Sequence, residues 1–149
     1  MKSYSAEISI NASPQDIWQI LIDGDGYTDW DPGMDRVEGA IASGQKVSFY
    51  TKLSPERAFP VTVTVFEPDR RMVLTGGMPA GLFKSERTHT LKPEGDGSTK
   101  FTTQEIFSGP LLPIFGRSIP DLTQNFQAFA AGLKARAEEA QIPGGNHGS

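Results

Sequence analysis

The chain has 149 residues, with 14 lysines and arginines against 18 aspartates and glutamates, and it contains no cysteine. The formal net charge of -4 and the lack of a basic cluster argue against a nucleic-acid partner, because neutralising phosphates requires clustered Lys and Arg. Without cysteine the chain has no disulfide, no thiol nucleophile and no thiolate metal site.

Two further classes are excluded by hydropathy. No segment approaches the run of about 18 apolar residues that a membrane-spanning helix needs. The first ten residues carry Lys2 and Glu7 and lack the apolar core of a signal peptide. We therefore expect a cytoplasmic protein without a membrane span.

The N-terminal region predicts a strand followed by two short helices. Apolar and polar side chains alternate over residues 4–10, which is the period of a half-buried strand. Segment 13–24 opens with an N-cap serine, a proline at the first helical position and an aspartate three residues after the cap. A second helical turn is expected over 27–30.

The middle of the chain predicts strands that follow one another with turns between them. The strands are expected over 37–41, 47–53, 61–65, 71–75, 82–92 and 99–108, with turns at 54–57, 68–70 and 93–97. Successive strands joined by short turns favour an antiparallel sheet. The element order therefore predicts the α+β class.

The C-terminal region predicts one long amphipathic helix over 118–141. Its apolar positions are spaced three or four residues apart on one stripe, namely Ile119, Leu122, Phe126, Phe129, Leu133 and Ala137. Ser118 and Asp121 have the spacing of a capping box. The stripe needs an apolar partner, which should be the sheet. We expect a single domain over 1–141 and a disordered tail over 142–149.

Strand parity predicts which side chains face this helix. In the last strand Phe101 and Phe107 should point to the helix, so Thr103 and Glu105 point the same way. If Leu91 pairs with Phe101 in the hairpin, Arg87 lies across from Glu105 and His89 lies across from Thr103. A buried Arg87 and Glu105 would need each other, because an unpaired buried charge costs several kcal/mol.

Three segments in this order resemble the START-like superfamily, also called SRPBCC or helix-grip. They are 13–18 after the first strand, 27–32 with its Trp-Asp-Pro, and 103–109 before the long helix. The resemblance is nearest to polyketide cyclase/dehydrase-like bacterial members. It implies a curved antiparallel sheet of six to seven strands wrapped around the long C-terminal helix, with two short helices after the first strand and an apolar cavity inside.

The expected lining of this cavity combines an apolar wall with a polar cluster. The candidate ligand-binding residues are Trp30, Phe49, Val63, Phe83, Arg87, His89, Phe101, Thr103, Glu105, Leu122, Phe126 and Phe129. Glu105 and His89 are the candidates for moving a proton. The alternatives are that Arg87 and Glu105 form a purely structural pair, and that Trp30 packs against the small helix rather than touching a ligand.

Other motifs indicate little chemistry. No metal-ligand spacing is present, and we interpret Asp29, Asp31 and Asp35 as a solvated loop rather than a cation site. No glycine-rich segment opens a helix after a parallel strand, so no cofactor is expected. Segment 78–83 is either a lid over the cavity or a plain connection.

Three functions remain open at this point. The first is binding of a small hydrophobic ligand (a lipid, an aromatic or a polyketide-like molecule) between sheet and helix. The second is a cyclase or aromatase type of enzyme in which Glu105 or His89 moves a proton. The third is a partner-binding module like the Hsp90-activator group, which predicts an exposed apolar patch. A homodimer is possible in each case.

Overall fold

The structure is a computed structural model that describes residues 2–115, 117, 119 and 121–140. Its helices are α1 (Pro14–Ile22), α2 (Tyr27–Trp30), α3 (Leu112–Phe115) and α4 (Thr123–Glu139). Its strands are β1 (Lys2–Ile10), β2 (Met34–Glu38), β3 (Lys46–Thr51), β4 (Ser54–Glu67), β5 (Arg71–Gly77), β6 (Lys84–Pro93) and β7 (Thr99–Ser108). Single 3₁₀ turns lie at Gly24–Gly26 and Pro79–Gly81.

The strands form one curved antiparallel sheet of seven strands, in the order β1-β7-β6-β5-β4-β3-β2. The last strand, β7, pairs with the first strand, β1. Strand β1 therefore lies at one edge of the sheet and β2 at the other. Helix α4 lies against β1 and β7, with α1 and α2 beside it. This arrangement confirms the predicted α+β, helix-grip fold.

Local signals in the first helix act as predicted. The Ser13 hydroxyl oxygen accepts a hydrogen bond from the Asp16 amide at 3.1 Å, and Pro14 occupies the first turn. Ile17, Trp18 and Leu21 are the buried face of α1. The second helical turn forms as α2, where predicted.

Helix α4 begins later than predicted. Its first residue is Thr123, whose amide and hydroxyl both donate to Asp121 Oδ1, at 3.0 and 2.7 Å. The proline at 120 disfavours helical backbone at Ile119, which explains why the helix does not extend back to the apolar residue there. Ser118, Gln141 and the predicted tail lie outside the described residues.

The predicted turn at 54–57 is wrong. The turn lies at Lys52 and Leu53, and β4 already begins at Ser54, which pairs with Thr51. Residues 55–58 then stand opposite Tyr50 in a bulge before Phe49 pairs with Phe59. A bulge accommodates Pro55, which has no amide hydrogen to donate to a regular ladder.

The second strand is shifted from its predicted position. Strand β2 spans Met34–Glu38 rather than 37–41, and Gly39 ends it with a φ of 97°. A Cβ at Gly39 would lie 2.7 Å from the Lys46 carbonyl oxygen. Glycine therefore permits both the left-handed turn and the close approach of β3.

The described residues contain no helix with the length and apolar character needed to cross a membrane.

We predict that Gly132→Ala destabilises the protein. A Cβ at Gly132 would overlap the Trp30 carbonyl oxygen, so α4 would have to move away from α2. The overlap should outweigh the gain in helix propensity, leaving a net loss of about 1–3 kcal/mol in the free energy of unfolding measured in urea.

The matched control is Ala135→Gly at an exposed position inside the same helix. It should cost about 1 kcal/mol from propensity alone. A Gly132→Ala variant as stable as the parent would contradict the close contact between α4 and α2.

Candidate functional site

The hairpin of β6 and β7 carries the polar cluster in the predicted register. Arg87 pairs with Glu105, His89 with Thr103, and Leu91 with Phe101. The buried residues of β7 alternate, so Phe101, Thr103 and Glu105 share the face toward α4. The sheet thus brings the four predicted polar residues together under the helix.

Arg87 is held by a hydroxyl and by two aromatic rings. Its Nε donates to Thr103 Oγ1 at 3.1 Å. The guanidinium lies over Phe126 and Phe129, with 4.2 and 4.6 Å between its central carbon and the ring centroids. Stacking on two rings compensates in part for taking the charge out of water.

The expected direct pair between Arg87 and Glu105 is not formed. Within the described part of the chain, no carboxylate oxygen lies within 4.0 Å of a nitrogen of Arg87. Thr103 takes the Nε atom, and the rings of α4 fix the plane of the guanidinium. Facing positions in the ladder therefore do not become a salt bridge.

The exposure of the inward-facing side chains differs between the two ends of the hairpin of β6 and β7. Leu91 and His89 are 4 % and 2 % exposed, and Phe101 and Thr103 are fully buried. Further along the same face, Arg87, Ser85 and Glu105 are only half-buried. The polar part of this face near Arg87 and Glu105 therefore keeps some access to solvent, although Phe107 opposite Ser85 is buried.

The polar atoms in this part of the face lack partners. The two terminal nitrogens of Arg87 and both carboxylate oxygens of Glu105 make no hydrogen bond to any described residue. They are also not among the fully buried unpaired atoms, which are Trp30 Nε1 and His89 Nδ1. Arg87 and Glu105 therefore border accessible space at the interface of the sheet and α4.

Burial dominates the electrostatics of this cluster. It lowers the pKa of Arg87, against the opposing effect of Glu105, Asp31 and Tyr27. It raises the pKa of Glu105, and the positive charge of Arg87 opposes that rise. One guanidinium is thus balanced at a distance by two acids rather than by contact with one.

His89 is a buried neutral imidazole. Its ring stacks on Phe129 at 5.4 Å and on Phe101 at 5.7 Å, with interplanar angles of 3° and 28°. Burial, with the charge of Arg87 as a smaller cause, lowers its pKa well below 6.5. An imidazole with so low a pKa is a weak base.

Trp30 packs into the core. Its ring lies 4.7 Å from Tyr27 and 5.0 Å from Phe129, and only 7 % of the residue is exposed. The ring therefore packs against α4, which is a different partner from the small helix of the predicted packing alternative. A role in ligand binding stays a prediction for this residue.

The apolar wall is assembled from most of the predicted residues. Val63 and Phe101 are buried, Phe49 is half-buried and lies 6.1 Å from Tyr27, and Leu122 is half-buried beside α4. Phe83 precedes β6 and stacks on Phe107 at 6.1 Å. Their part in ligand binding likewise stays a prediction.

Three residues near the site were not predicted. Tyr4 pairs with Glu105 from β1, and its ring lies 6.1 Å from Phe126. Tyr27 is buried and donates to the Leu21 carbonyl at 2.6 Å. Pairing β1 with β7 would have revealed Tyr4, since it occupies an inward position of the alternation.

The third missed residue is Asp31, and its assignment to a solvated loop is wrong. It is 7 % exposed, and its Oδ1 accepts from the Gly33 amide at 3.1 Å. Burial raises its pKa, and Arg87 is among the groups that oppose the rise. Asp29 is exposed, as predicted. Within the described residues no three His, Asp or Glu side chains cluster as a metal site.

The connection over 78–83 is tied to the neighbouring loop. The Met78 amide donates to the Phe83 carbonyl at 2.7 Å, and the Leu111 amide donates to the Leu82 carbonyl at 2.9 Å. Met78 and Leu82 are 40 % and 41 % exposed. These bonds fix both ends of the connection, and its role as a lid stays a prediction.

Two recesses formed by described residues lie outside this site. One of about 470 Å³ lies between α2 and α4 and is lined by Trp30, Pro32 and Gly132 among others. The other, of about 530 Å³, lies over Gly76 and Gly77. Neither recess includes Arg87 or Glu105.

Comparison with known proteins supports a shared fold. The Zhui aromatase/cyclase from Streptomyces sp. R1128 superposes with a TM-score of 0.72 at 17 % identity, covering 97 % of this chain and 98 % of that chain. A START superfamily protein from Mycobacterium smegmatis superposes with a TM-score of 0.67 at 17 % identity, covering 92 % and 97 %.

A third similar structure is protein MLL2253 from Mesorhizobium loti, with a TM-score of 0.73 at 17 % identity and coverage of 95 % and 100 %. No curated protein matches the sequence. The family model described as polyketide cyclase / dehydrase and lipid transport matches residues 1–138, which confirms the START-like resemblance. The chain therefore belongs to the polyketide cyclase / dehydrase and lipid transport family.

Proposed function

We propose that the protein binds a small hydrophobic molecule between the inner face of the sheet and α4, with the polar end of the ligand at Arg87 and Glu105. The observation that carries this proposal is the state of Arg87. Its plane is fixed by Thr103, Phe126 and Phe129, while its terminal nitrogens remain unpaired beside accessible space.

The surroundings suit an apolar ligand. Ligand sites are mostly apolar, with a few polar groups that orient the bound molecule. Here aromatic rings from α4 and aromatic and aliphatic side chains from the sheet surround one guanidinium and one carboxylate. The partner-binding function is less well supported, because the polar cluster lies inside rather than on an exposed surface.

The comparisons support the same class of ligand. The description of the family includes both lipid transport and polyketide cyclases. The similar structure from Streptomyces is named an aromatase/cyclase. Ligand binding is common to both descriptions, so we place it first and chemistry second.

We predict that a bulky side chain beside Arg87 weakens ligand binding. Ser85 lies on the same face of β6 as Arg87, so Ser85→Phe should lower ligand affinity at least about tenfold, which is about 1.4 kcal/mol. Native mass spectrometry of the freshly purified protein identifies any retained ligand. Titration with fatty acids, aromatic acids and the matching alcohols then gives affinities.

The matched control is Glu86→Phe, which adds the same ring one residue away on the opposite face of β6. It should change affinity less than about twofold, well under 1 kcal/mol. Absence of micromolar binding by every compound would contradict the proposed function, as would equal effects of the two variants.

A second prediction separates a functional Arg87 from a structural one. Replacing a buried ion pair by apolar side chains is often neutral or stabilising, and the large cost of removing one charge arises when its contacting partner is left unpaired. Arg87 has no contacting carboxylate among the described residues. Arg87→Met should therefore leave the free energy of unfolding unchanged or raise it by about 1–2 kcal/mol. Affinity for the ligand found with the parent protein should fall at least about tenfold.

Urea unfolding and ligand titration test both halves of this prediction. Arg71→Met is the control, since Arg71 is an exposed residue of β5 whose loss should change stability by no more than about 0.5 kcal/mol. A strongly destabilised Arg87→Met variant with unchanged ligand affinity would assign Arg87 a structural role instead.

One observation favours a cyclase or aromatase type of enzyme as the second candidate. Glu105 has a raised pKa and unpaired carboxylate oxygens beside accessible space, which are the properties of a general acid or base. Glu105 is better placed for this role than His89, whose ring is enclosed by Phe101 and Phe129.

If the protein is such an enzyme, Glu105→Gln should lower turnover of an identified substrate about 10²–10⁴-fold. The exposed carboxylate of Glu94 offers a control, because Glu94→Gln should leave turnover unchanged. Turnover that survives Glu105→Gln would remove Glu105 from the chemistry without affecting the binding function.

A further inference from the structure

Arg87 presents an unused pair of donors beside accessible space. The Nε atom is occupied by Thr103. The remaining edge of the planar guanidinium is the one between its two terminal nitrogens, and these have no partner among the described residues. This edge matches the two oxygens of a carboxylate, which a guanidinium binds with two parallel hydrogen bonds.

We propose that the ligand carries an anionic group of the carboxylate class, which binds the terminal nitrogens of Arg87, and that Glu105 takes up one proton from solvent as the ligand binds. This inference rests on the proposed function and specifies the class of ligand for the same site. The ligand stays ionised, and no covalent bond changes.

The anionic character of the ligand is inferred from the charge of Arg87. Its carboxylate neighbours act only at a distance, since none lies within 4.0 Å among the described residues. A buried cation without a contacting anion is unfavourable. An anionic ligand supplies the missing contact, whereas a neutral ligand leaves the guanidinium unpaired and less hydrated.

The uptake of a proton is inferred from the position of Glu105. Bound at Arg87, the ligand would place a second negative charge beside this carboxylate, and two like charges in one buried site retain a proton between them. Arg87 is the group that holds the pKa of Glu105 down, and burial already raises it. An anion bound to Arg87 weakens the effect by which Arg87 lowers the pKa of Glu105.

The neighbouring groups do not take the proton first. His89, two residues from Arg87 on β6, is kept neutral by burial and by the charge of Arg87. Asp31 accepts a hydrogen bond from the Gly33 amide, which stabilises its charged form, while Glu105 accepts none from a described residue.

The other elements around Glu105 contribute few charges. Strand β1 places Tyr4 directly across and Lys2 two positions further along, where its Nζ donates to the Ile119 carbonyl at 3.3 Å. Tyr27 has a pKa raised by burial and is neutral. Helix α4 presents the rings of Phe126 and Phe129 on this side.

The pH dependence of the affinity for the anion follows from this proton uptake. Below the pKa of Glu105 in the free protein the proton is already bound, so affinity for the anion is independent of pH. Above it each unit of pH should weaken binding by up to about tenfold, because one proton must be taken up. Glu105→Gln mimics the protonated form, so its affinity should stay constant and exceed that of the parent at pH 8.

The test uses isothermal titration calorimetry of the full chain between pH 5.5 and 8.5. The probes are 2-naphthoate and dodecanoate, each with its neutral alcohol counterpart. The variants are Glu105→Gln, Asp31→Asn as the matched acid control, and Arg87→Met with Arg87→Gln, which also removes the charge, as a second choice if the first does not fold. Buffers of different ionisation enthalpy report the proton uptake directly.

We expect an acid to bind at least tenfold more tightly than its alcohol at pH 6, with affinity that falls with pH in the parent and in Asp31→Asn but not in Glu105→Gln. Arg87→Met should remove the preference for the acid. An alcohol that binds as tightly as its acid, or a pH slope that persists in Glu105→Gln, would overturn this inference while leaving the binding function intact. Absence of binding by all four probes would overturn both.

Discussion

Phe129 lies where the sheet, the long helix and the second short helix meet. Its ring contacts the rings of four residues, namely Trp30, Tyr27, His89 and Phe101, and the guanidinium of Arg87 lies over it. A ring with this many neighbours fixes the distance between α4 and the sheet. The position of every other group in the site depends on that distance.

The two ends of α4 make different contacts with the sheet. Near its C-terminus the helix is tethered to β1, because Lys134 donates to the Ser9 carbonyl at 2.9 Å and Glu138 accepts from the Asn11 amide at 2.8 Å. Leu133 and Ala137 are fully buried there. Near the other end of the helix Phe126 packs on two half-buried strand residues: its ring lies 6.1 Å from the ring of Tyr4 and 4.2 Å from the central carbon of the Arg87 guanidinium.

Much of this arrangement follows from periodicity. The alternation in β6 and β7 and the short connection between them determine the register, so the pairing of Arg87 with Glu105 and of His89 with Thr103 could be derived from the sequence. The stripe on α4 is similarly determined, because Phe126, Phe129, Leu133 and Ala137 all face the core.

The features that the sequence did not predict depend on contacts between distant segments. Asp31 looks like a loop residue beside Pro32, and only the packing of α2 on α4 buries it. The bulge in β4 and the shifted β2 depend on how neighbouring strands pair, which local propensity does not encode. Register likewise gives the residue that faces a given position, but not the rotamer of its side chain or the contact that the side chain makes.

Arg87 pairs with Glu105 in the sheet, but its side chain contacts Thr103. The rotamer, and not the register alone, therefore decides the contact. Two opposite charges 4 Å apart attract each other by about 4 kcal/mol at an effective dielectric constant of 20, but the desolvation of both charges offsets much of that gain. Such a pair would consume the donors of Arg87 and the oxygens of Glu105.

Instead the hydroxyl of Thr103 accepts from Nε and the rings of Phe126 and Phe129 lie against the guanidinium, while the terminal nitrogens make no hydrogen bond to a described residue. The carboxylate of Glu105 borders the same accessible space. A charge fixed by its neighbours but not neutralised by contact is suited to recognise a ligand, because little reorganisation precedes binding. This unneutralised charge is the reason for proposing that the polar cluster recognises a ligand.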